Sequence, residues 1–413
     1  MKITVIAPTS LPALRANTIQ VMKMTQAFSM SGHDVALLVP TAYPKTINKR
    51  WDKLAVHYGL QQEFPVYWLQ STPHWRGYDF GFRAVSWAQA CHTDLIYTRH
   101  PQAAAWSSIK GIPTILEVHD TPHGGMGPLL FRSFLAGKGA QRLVAITHFL
   151  AQDLISSYSK LERISTITPI SSAMGTEITS SFIVIAPDGV DLIRYNNLPA
   201  PDSARLALSM MAGSPVVEMD PDRFTAGYTG HLYEGRGSEF MLMLAERLPQ
   251  MNFLLVGGEP EAVARLRVSI DEKGIKNVFL TGFIPNSELP LYQAACDVLL
   301  MPYQSRVAAS SGGDISQYLS PMKVFEYMAC KRAIIASHLP VFGEILNTNN
   351  AILIPHDDVN AWVNALTLLH DHPQQCVDLG EQSWKDIQKY DWLNRVQHVL
   401  KGIDLPNDNQ SNQ

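Results

Sequence analysis

Apolar residues occur along this chain in short continuous runs, separated by segments of helical periodicity and by turn residues. Most of the runs are continuously apolar rather than alternating, which is typical of parallel strands covered on both faces. The strands predicted in this way are Ile3–Ala7, Asp34–Val39, Val66–Leu69, Leu95–Thr98, Thr114–His119, Leu143–Thr147, Phe182–Pro187, Phe224–Gly230, Asn252–Gly257, Asn277–Gly282, Asp297–Tyr303, Arg332–Ser337 and Ala351–Pro355.

The segments between these runs are predicted to be amphipathic helices. In one of them Val21, Met24 and Phe28 recur at the spacing that places them on a single helical face. Strands and helices alternate in two successive blocks, and this predicts an α/β protein of two Rossmann-like, doubly wound parallel-sheet domains. Open parallel sheets bind ligands at the carboxyl ends of their strands, so we expect the ligand site in a cleft between the two domains.

Turn-forming and polar segments suggest where the domains divide. The polar, proline-bearing stretch that begins at Asn196 predicts a linker, which gives a first domain over 1–195 and a second over 196–384. The Ser/Thr-rich segment Ser165–Ser181 is predicted to be a loop of the first domain. A helical pattern then follows at about 385–403, and residues 404–413 are predicted to be disordered.

Composition narrows the class of protein. The 413 residues are 46% hydrophobic and 17% charged, as in globular chains of more than one domain. A net charge of -4 argues against binding nucleic acid. The four cysteines show neither zinc-ligand spacing nor a disulfide framework. No apolar stretch approaches the ~18 residues that span a bilayer, so we expect a cytoplasmic protein, with peripheral contact to the inner face of a membrane left open.

The segment Ser320–Ala329 carries the chemistry of most interest. Ser320 is a preferred N-cap residue and Pro321 suits a first helical turn, so the sequence predicts a helix that starts here. A helix start is an anion site, and Lys323 adds a positive charge to it. Glu326, one turn further on, could accept hydrogen bonds from the vicinal diol of a ribose. An ordinary capped helix with solvated Lys and Glu side chains is equally compatible with these residues.

Two further segments follow predicted strands. In 230–238 a glycine leaves a strand and Arg236 precedes a helix, which suits approach of the backbone to a diphosphate. A purely structural glycine turn is the alternative. In Glu117–Pro122, His119 could contact a reacting sugar or act in acid–base chemistry, or it could be a structural histidine. A metal site of His119, Asp120 and His123 lacks further ligand spacing, and no metal is expected.

Taken in this order, these segments resemble the family 4 glycosyltransferases of the GT-B fold, and the resemblance covers nearly the whole chain. Residues 31–35 resemble the family's G-H-x-V motif, 186–191 its P-N-G-V-D motif, 230–237 its G-R-x-x-x-x-K-G motif, and 320–329 its S-P-x-K-x-F-E-Y-M-A motif. Each match is short, and their shared order and spacing make the resemblance specific. It also implies a C-terminal helix that crosses back to the first domain.

The resemblance implies a retaining, metal-independent transfer of sugar from a nucleoside-diphosphate sugar to a hydroxyl acceptor, in polysaccharide or glycolipid assembly. It requires no cofactor, and the expected partners are the nucleotide sugar and a saccharide or lipid-linked acceptor. It places His119 at the transferred sugar as the catalytic candidate. It assigns the donor to His231, Arg236, Ser320, Lys323 and Glu326, and places the first loop, with Arg15, Asn17 and Thr18, on the acceptor side.

Two positions depart from the family pattern. His231 stands where the family has arginine, and Tyr318 stands where it has the glutamate that contacts the donor sugar. Asp314 is the candidate substitute for that glutamate. These departures leave two alternatives open, a non-catalytic nucleotide-sugar-binding partner subunit and a GT-B nucleotide-sugar 2-epimerase.

Overall fold

The computed structural model describes residues 1–41, 50–75, 77–165, 169–172, 175–178, 180–211, 214, 216–308, 314 and 316–403. The predicted disordered tail 404–413 lies outside them. Two compact units make up the chain: one contains Met1–Asp188 and the segment that begins at Trp392, and the other contains Gly189–Asp391. The sequence predicts these boundaries at 195 and at about 385. Residues 189–195 belong with the second unit because Val190 and Tyr195 are buried in its core.

In the described part of the first unit, seven parallel strands form a sheet in the order β3-β2-β1-β4-β5-β6-β9, and β7 and β8 form a separate antiparallel hairpin. The hairpin lies where the sequence predicted a loop, so that prediction was wrong. The strands are β1 (Lys2–Ile6), β2 (Asp34–Thr41), β3 (Val66–Gln70), β4 (Leu95–Thr98), β5 (Thr114–Val118), β6 (Ala140–Ala145), β7 (Pro169–Ser172), β8 (Gly175–Ile178) and β9 (Ile183–Ile185).

Helices accompany the sheet of the first unit in the alternation that the sequence predicted. The last helix of the described residues belongs to this unit, where it contacts the first helix. The helices of the unit are α1 (Ala16–Met30), α2 (Trp51–Tyr58), α3 (Tyr78–Ala90), α4 (Pro101–Ile109), α5 (Gly127–Ala136), α6 (His148–Tyr158), α7 (Glu162–Ser165) and α15 (Trp392–Leu400).

Within the described residues of the second unit, six parallel strands form a sheet in the order β12-β11-β10-β13-β14-β15. The strands are β10 (Thr225–Thr229), β11 (Asn252–Val256), β12 (Val278–Gly282), β13 (Val298–Met301), β14 (Ala333–Ser337) and β15 (Ile352–Ile354). The helices are α8 (Pro201–Ser209), α9 (Ser238–Arg247), α10 (Pro260–Lys273), α11 (Leu289–Ala294), α12 (Met322–Ala329), α13 (Val359–Asp371) and α14 (Pro373–Ile387).

Both sheets follow from the apolar runs in the sequence. Strands β10, β11, β13 and β14 are buried along their whole length, as expected when helices cover both faces of a parallel sheet. In each sheet the strand order reverses beside the first strand, between β1 and β4 and between β10 and β13. Such a reversal leaves a crevice at the carboxyl ends of the two strands, where doubly wound folds bind ligands.

Candidate functional site

The crevice of the second unit lies where β10 ends at Thr229. Gly230 follows with φ of +132°, a conformation that favours glycine. A Cβ atom at Gly230 would lie 2.7 Å from Nζ of Lys323, so this position has no room for a side chain while the lysine stays in place. Gly257, after β11, approaches as closely, because its Cβ would lie 2.5 Å from the carbonyl oxygen of Gly230. The glycine turns predicted from the sequence therefore allow Nζ of Lys323 and the backbone after β11 to approach Gly230 closely.

Lys323 lies in the first turn of α12 and is 8% exposed. Its Nζ is 3.7 Å from the centre of the Tyr228 ring and 5.3 Å from the centre of the Tyr303 ring. Among the described residues this nitrogen has no hydrogen-bond partner. Burial, together with the charge of Arg236, lowers the pKa of the Lys323 ammonium well below its usual value. The side chain is thus a buried ammonium group held against aromatic faces, and its charge is disfavoured as long as no anion compensates it.

Arg236 supplies a second cation at the same place. Its Nη1 donates a hydrogen bond of 2.5 Å to the Tyr303 hydroxyl, and its guanidinium carbon is 4.9 Å from the centre of that ring. Its Nε is buried and lacks a hydrogen-bond partner in the described part of the chain. Tyr303, which follows β13, therefore contacts both cations. The buried Lys323 and the half-buried Arg236, each with an unused buried N–H donor, form a site suited to an anion with several oxygens.

Glu326 lies one turn after Lys323 on α12 and is half-buried. Its Oε2 accepts a hydrogen bond of 3.1 Å from Nε2 of Gln293, which also donates to Oγ1 of Thr229 at 3.1 Å. The hydroxyl of Tyr195 donates to Oε1 of the same Gln293 at 3.1 Å. Glu326 is thus held beside the end of β10 by a buried amide. The sequence did not single out Gln293, although a glutamine inside an apolar helical segment is an indication of a buried polar contact.

The start of α12 differs from the sequence prediction. The helix begins at Met322, with Pro321 in extended conformation at the N-cap, and the Pro321 side chain makes no capping hydrogen bond. Ser320 precedes this cap, so its predicted role as the N-cap residue was wrong. The reason is that Pro321 has ψ of 123°, outside the helical range. Ser320 nevertheless remains next to the helix start that carries Lys323.

His231 and Asp314, also predicted to bind the donor, make other contacts in the second unit. The His231 ring stacks on the Tyr233 ring with centres 4.7 Å apart, and its carbonyl oxygen accepts a hydrogen bond from the Tyr228 hydroxyl. The carboxylate of Asp314 accepts from the backbone N–H groups of Ser316 and Val307, which lower its pKa. Asp314 therefore stabilises its own loop. The neighbouring Gly312 and Gly313 lie outside the described residues.

The predicted acceptor-side residues lie at the start of α1. Arg15 and Asn17 are exposed, and Thr18 is buried. The Thr18 hydroxyl donates to the carbonyl oxygens of Ala13 and Arg15, at 3.0 Å and 2.7 Å. Thr18 therefore shapes the loop, while Arg15 and Asn17 are the accessible members of the set.

His119 directly follows β5 at the carboxyl end of the first sheet. Its Nε2 is 2.5 Å from Oε1 of Glu117, whose side chain is completely buried. Burial and the charge of Arg99 lower the pKa of His119 to about 4. The sequence did not single out Glu117, although a charged residue within a strand buried on both faces is an indication of a buried polar contact.

The metal alternative at His119 gains no geometric support. His119 is bound to Glu117, while Nδ1 of His123 lies 3.5 Å from Oδ2 of Asp120 on the surface. In the described ranges, no group of three or more His, Cys, Asp or Glu side chains is arranged to hold a metal ion. Among the same residues, no helix has the length and apolar character to cross a membrane.

Comparison with known proteins gives a consistent picture for both units. Residues 18–169 match the family described as Glycosyltransferase Family 4, and residues 223–372 match Glycosyl transferases group 1. A GDP-mannose-dependent alpha-(1-6)-phosphatidylinositol monomannoside mannosyltransferase from Mycolicibacterium smegmatis is 25% identical over 75% of this chain and 82% of its own length. The alpha-galactosylglucosyldiacylglycerol synthase of Streptococcus pneumoniae is 21% identical over 57% of this chain and 59% of its own.

Solved structures show the same fold. HepE from Anabaena, solved in complex with UDP and glucose, aligns with a TM-score of 0.67 at 17% identity, over 98% of this chain and 100% of its own. Sucrose-phosphate synthase from Thermosynechococcus elongatus aligns with a TM-score of 0.67 at 17% identity, over 96% of each chain.

Proposed function

Since this chain is a glycosyltransferase of the GT-B fold, with a family 4 first half and a group 1 second half, we propose that it transfers a sugar from a nucleoside-diphosphate sugar to a hydroxyl group. The transfer retains the anomeric configuration and needs no metal ion. The second unit binds the donor. In this proposal Lys323 and Arg236 bind the diphosphate, and Glu326 accepts hydrogen bonds from the ribose hydroxyls.

One observation carries the donor assignment: the buried Lys323 and the half-buried Arg236 share the ring of Tyr303, and each has a buried N–H group without a partner in the described part of the chain. A buried charge lowers stability unless an opposite charge compensates it. A diphosphate supplies that compensation, together with several hydrogen-bond acceptors. The carboxyl ends of β10 and β13 are also where a doubly wound sheet binds a nucleotide.

The reaction follows from charge and bond changes. The bond between the anomeric carbon and the diphosphate oxygen breaks, and a bond from that carbon to the acceptor oxygen forms. The acceptor proton passes to the leaving phosphate oxygen. Negative charge grows on the diphosphate as the bond breaks, so fixed cations stabilise the transition state more than the ground state. Lys323 and Arg236 provide this stabilisation without a metal ion.

The acceptor belongs to polysaccharide or glycolipid assembly in this proposal. The names of two relatives specify glycolipid products or substrates, a phosphatidylinositol mannoside and a diacylglycerol glycoside. They support a saccharide or lipid-linked acceptor and transient contact with a membrane surface. Arg15 and Asn17, exposed at the start of α1, are the candidate acceptor contacts.

Donor binding is the first property to test. Purified full-length protein is heated with UDP-, GDP- or ADP-linked sugars. The donor with the preferred base is expected to raise the melting temperature, because it binds the native state. No increase with any of them would overturn the donor assignment. With the donor identified, proton NMR of the product reports the anomeric configuration, and added EDTA tests the need for a metal ion.

Turnover separates this proposal from its alternatives. Tyr318 replaces the glutamate expected at the donor sugar, which favours a nucleotide-sugar-binding partner subunit as the second candidate. Such a subunit would bind the donor without transferring or hydrolysing it. A 2-epimerase would convert the donor sugar without any acceptor. Donor consumption with and without saccharide or lipid-linked acceptors distinguishes the three functions.

A further inference from the structure

Glu117 of the first unit lies at the centre of a cluster of buried polar side chains that the donor site does not use. Its Oε1 accepts from Nε2 of Gln20 at 2.7 Å and from Nε2 of His119 at 2.5 Å. Its Oε2 accepts from the hydroxyl of Tyr97 and, at 2.9 Å, from Nη2 of Arg395. A carboxylate that accepts four hydrogen bonds is held in one orientation by all of them.

Arg395 brings the C-terminal helix α15 into this cluster. Its Nε donates to the carbonyl oxygen of Pro187 at 2.7 Å, and its Nη2 also donates to that of Ala186 at 2.9 Å. The guanidinium group is therefore fixed by the backbone as well as by Glu117. Burial alone would raise the pKa of Glu117, but the charge of Arg395 and the hydrogen bond from His119 lower it to about 2. Glu117 is thus ionised at neutral pH.

An ionised carboxylate only accepts hydrogen bonds, and this fixes the proton on the neighbouring imidazole. His119 is neutral at neutral pH, because burial and the charge of Arg99 lower its pKa to about 4. Its single ring proton must therefore be on Nε2, which faces Glu117. Nδ1 is left unprotonated, and it makes no hydrogen bond within the described residues. The His119 side chain is 24% exposed, whereas that of Glu117 is completely buried.

We propose that Glu117 and Arg395 are positioning residues that hold His119 in its neutral Nε2–H tautomer, so that Nδ1 accepts a hydrogen bond from a sugar hydroxyl. The role of His119 at a sugar rests on the proposed function, whereas the tautomer does not. The ligand group that fits this imidazole nitrogen is a hydroxyl donor, because an unprotonated nitrogen repels a phosphate or carboxylate oxygen. Arg395 acts through Glu117 and does not touch the substrate itself.

Other charged groups bear on the same cluster. Arg99 has Nε 4.0 Å from Oε1 of Glu117 and donates to Oε1 of Gln20 at 2.8 Å. Asp188 is buried nearby, and burial raises its pKa to about 7 despite the charges of Arg395 and Arg99. Removal of Arg395 therefore leaves Arg99 as the cation close to Glu117. It also removes one of the two positive charges that lower the pKa of Asp188.

The test measures the tautomer directly in the full-length protein. Two-bond proton–nitrogen NMR spectra of histidine-labelled protein are recorded, and His119→Gln assigns the resonances. We expect an unprotonated Nδ1 and a protonated Nε2 in the wild type. Glu117→Gln should introduce the other tautomer, because an amide can donate to Nε2. A protonated Nδ1 in the wild type, or no change of tautomer in Glu117→Gln, would overturn the proposal whatever the enzyme transfers.

Two substitutions separate the charge of Arg395 from its backbone contacts. In Arg395→Gln the pKa of Glu117 should rise, so kcat should fall at least tenfold at acidic pH and recover as the pH increases, while KM changes little. In Arg395→Lys the charge is kept and the pH profile should stay close to that of the wild type. If Arg395→Lys shows the same acidic loss as Arg395→Gln, the backbone hydrogen bonds matter rather than the charge, and the positioning role is wrong.

A matched control comes from the second unit. Arg205 is also buried, at 4% exposure, and pairs with Asp297 at 2.8 Å. Arg205→Gln should lower the melting temperature and leave both the His119 tautomer and the shape of the pH profile unchanged. A similar change of the pH profile in Arg205→Gln would show that general destabilisation produces it. Donor binding, followed separately by thermal shift, should survive in the Arg395 and Arg205 variants.

Discussion

Nζ of Lys323 lies 3.7 Å above the ring of Tyr228, with no hydrogen-bond acceptor for it in the described part of the chain. A contact with an aromatic face recovers only part of the hydration that a buried ammonium loses. The position of Lys323 therefore suits a bound anion. In the ligand-free protein its uncompensated charge lowers the free energy of unfolding. Stability and donor binding should consequently respond to changes at this residue in opposite directions.

Lys323→Met removes the charge and keeps a long apolar side chain. We expect the free energy of unfolding of the ligand-free protein to rise by about 1 kcal/mol. We expect donor affinity to fall by a factor of ten or more, roughly 1.4 kcal/mol. Urea denaturation and calorimetric titration measure the two effects. Lys273→Met, at an exposed lysine that pairs with Glu246, is the control and should change neither. Lower stability with unchanged donor affinity would contradict the assignment.

Gly230→Ala places a Cβ atom 2.7 Å from the same ammonium nitrogen, at a backbone φ of +132°. We expect a loss of about 1–3 kcal/mol of stability from the backbone strain, and weaker donor binding because the lysine must move. Gly274→Ala separates the two effects. Gly274 also has positive φ, but a Cβ there meets nothing within 4 Å. It should lose stability and keep its donor affinity, and equal donor affinities in the two variants would exclude the contact with Lys323.

Arg236→Gln tests the second cation. Without the guanidinium charge we expect at least a tenfold loss of donor affinity, or about 1.4 kcal/mol. Tyr303→Phe keeps both charges but removes the hydroxyl that accepts from Nη1 of Arg236 at 2.5 Å. It should weaken binding by less, about threefold, because the cation is only less well oriented. Calorimetric titration with the preferred nucleoside diphosphate gives both values. A larger loss in Tyr303→Phe than in Arg236→Gln would rule out a diphosphate contact for Arg236.

The sequence predicted the two sheets well because their strands are covered on both faces. Each predicted apolar run overlaps a strand of one of the sheets, from β1 to β15. The hairpin of β7 and β8 was missed because its polar residues, two serines, a threonine and a glutamate, leave no continuous apolar run. The pairing of Lys323 with Tyr228 could not be predicted either. A lysine stem can carry its ammonium to solvent or to an aromatic ring, and only the packing around Gly230 decides which.

The sequence predicts a ribose contact for Glu326 because it lies one helical turn after Lys323. The hydrogen bond that Glu326 accepts from Gln293 could not be predicted. Glu326→Gln should reduce affinity for a nucleoside diphosphate by about tenfold, since an amide is a weaker acceptor than a carboxylate. With a 2′,3′-dideoxy nucleotide the wild type and the variant should bind equally. The four affinities form a thermodynamic cycle that measures the coupling between Glu326 and the ribose hydroxyls. An equal loss with both nucleotides would show that Glu326 acts elsewhere than at the ribose.

The pH dependence of stability and binding should both report on Lys323. Its pKa in the folded protein lies well below the 10.5 of a free lysine, because of burial and the charge of Arg236, although Glu326 opposes the decrease. Between these two pKa values the unfolded chain binds more protons than the folded one, so stability should rise with pH. The stability advantage of Lys323→Met should therefore be largest at low pH and shrink as the pH increases.

Donor binding should depend on pH in the opposite direction. A diphosphate prefers the charged lysine, so the affinity for the donor falls as Lys323 loses its proton. Calorimetric titration in buffers of different ionisation enthalpy should then show proton uptake on binding in the wild type and a smaller uptake in Lys323→Met. Equal proton uptake in the two proteins would mean that the lysine is already fully charged before the donor arrives.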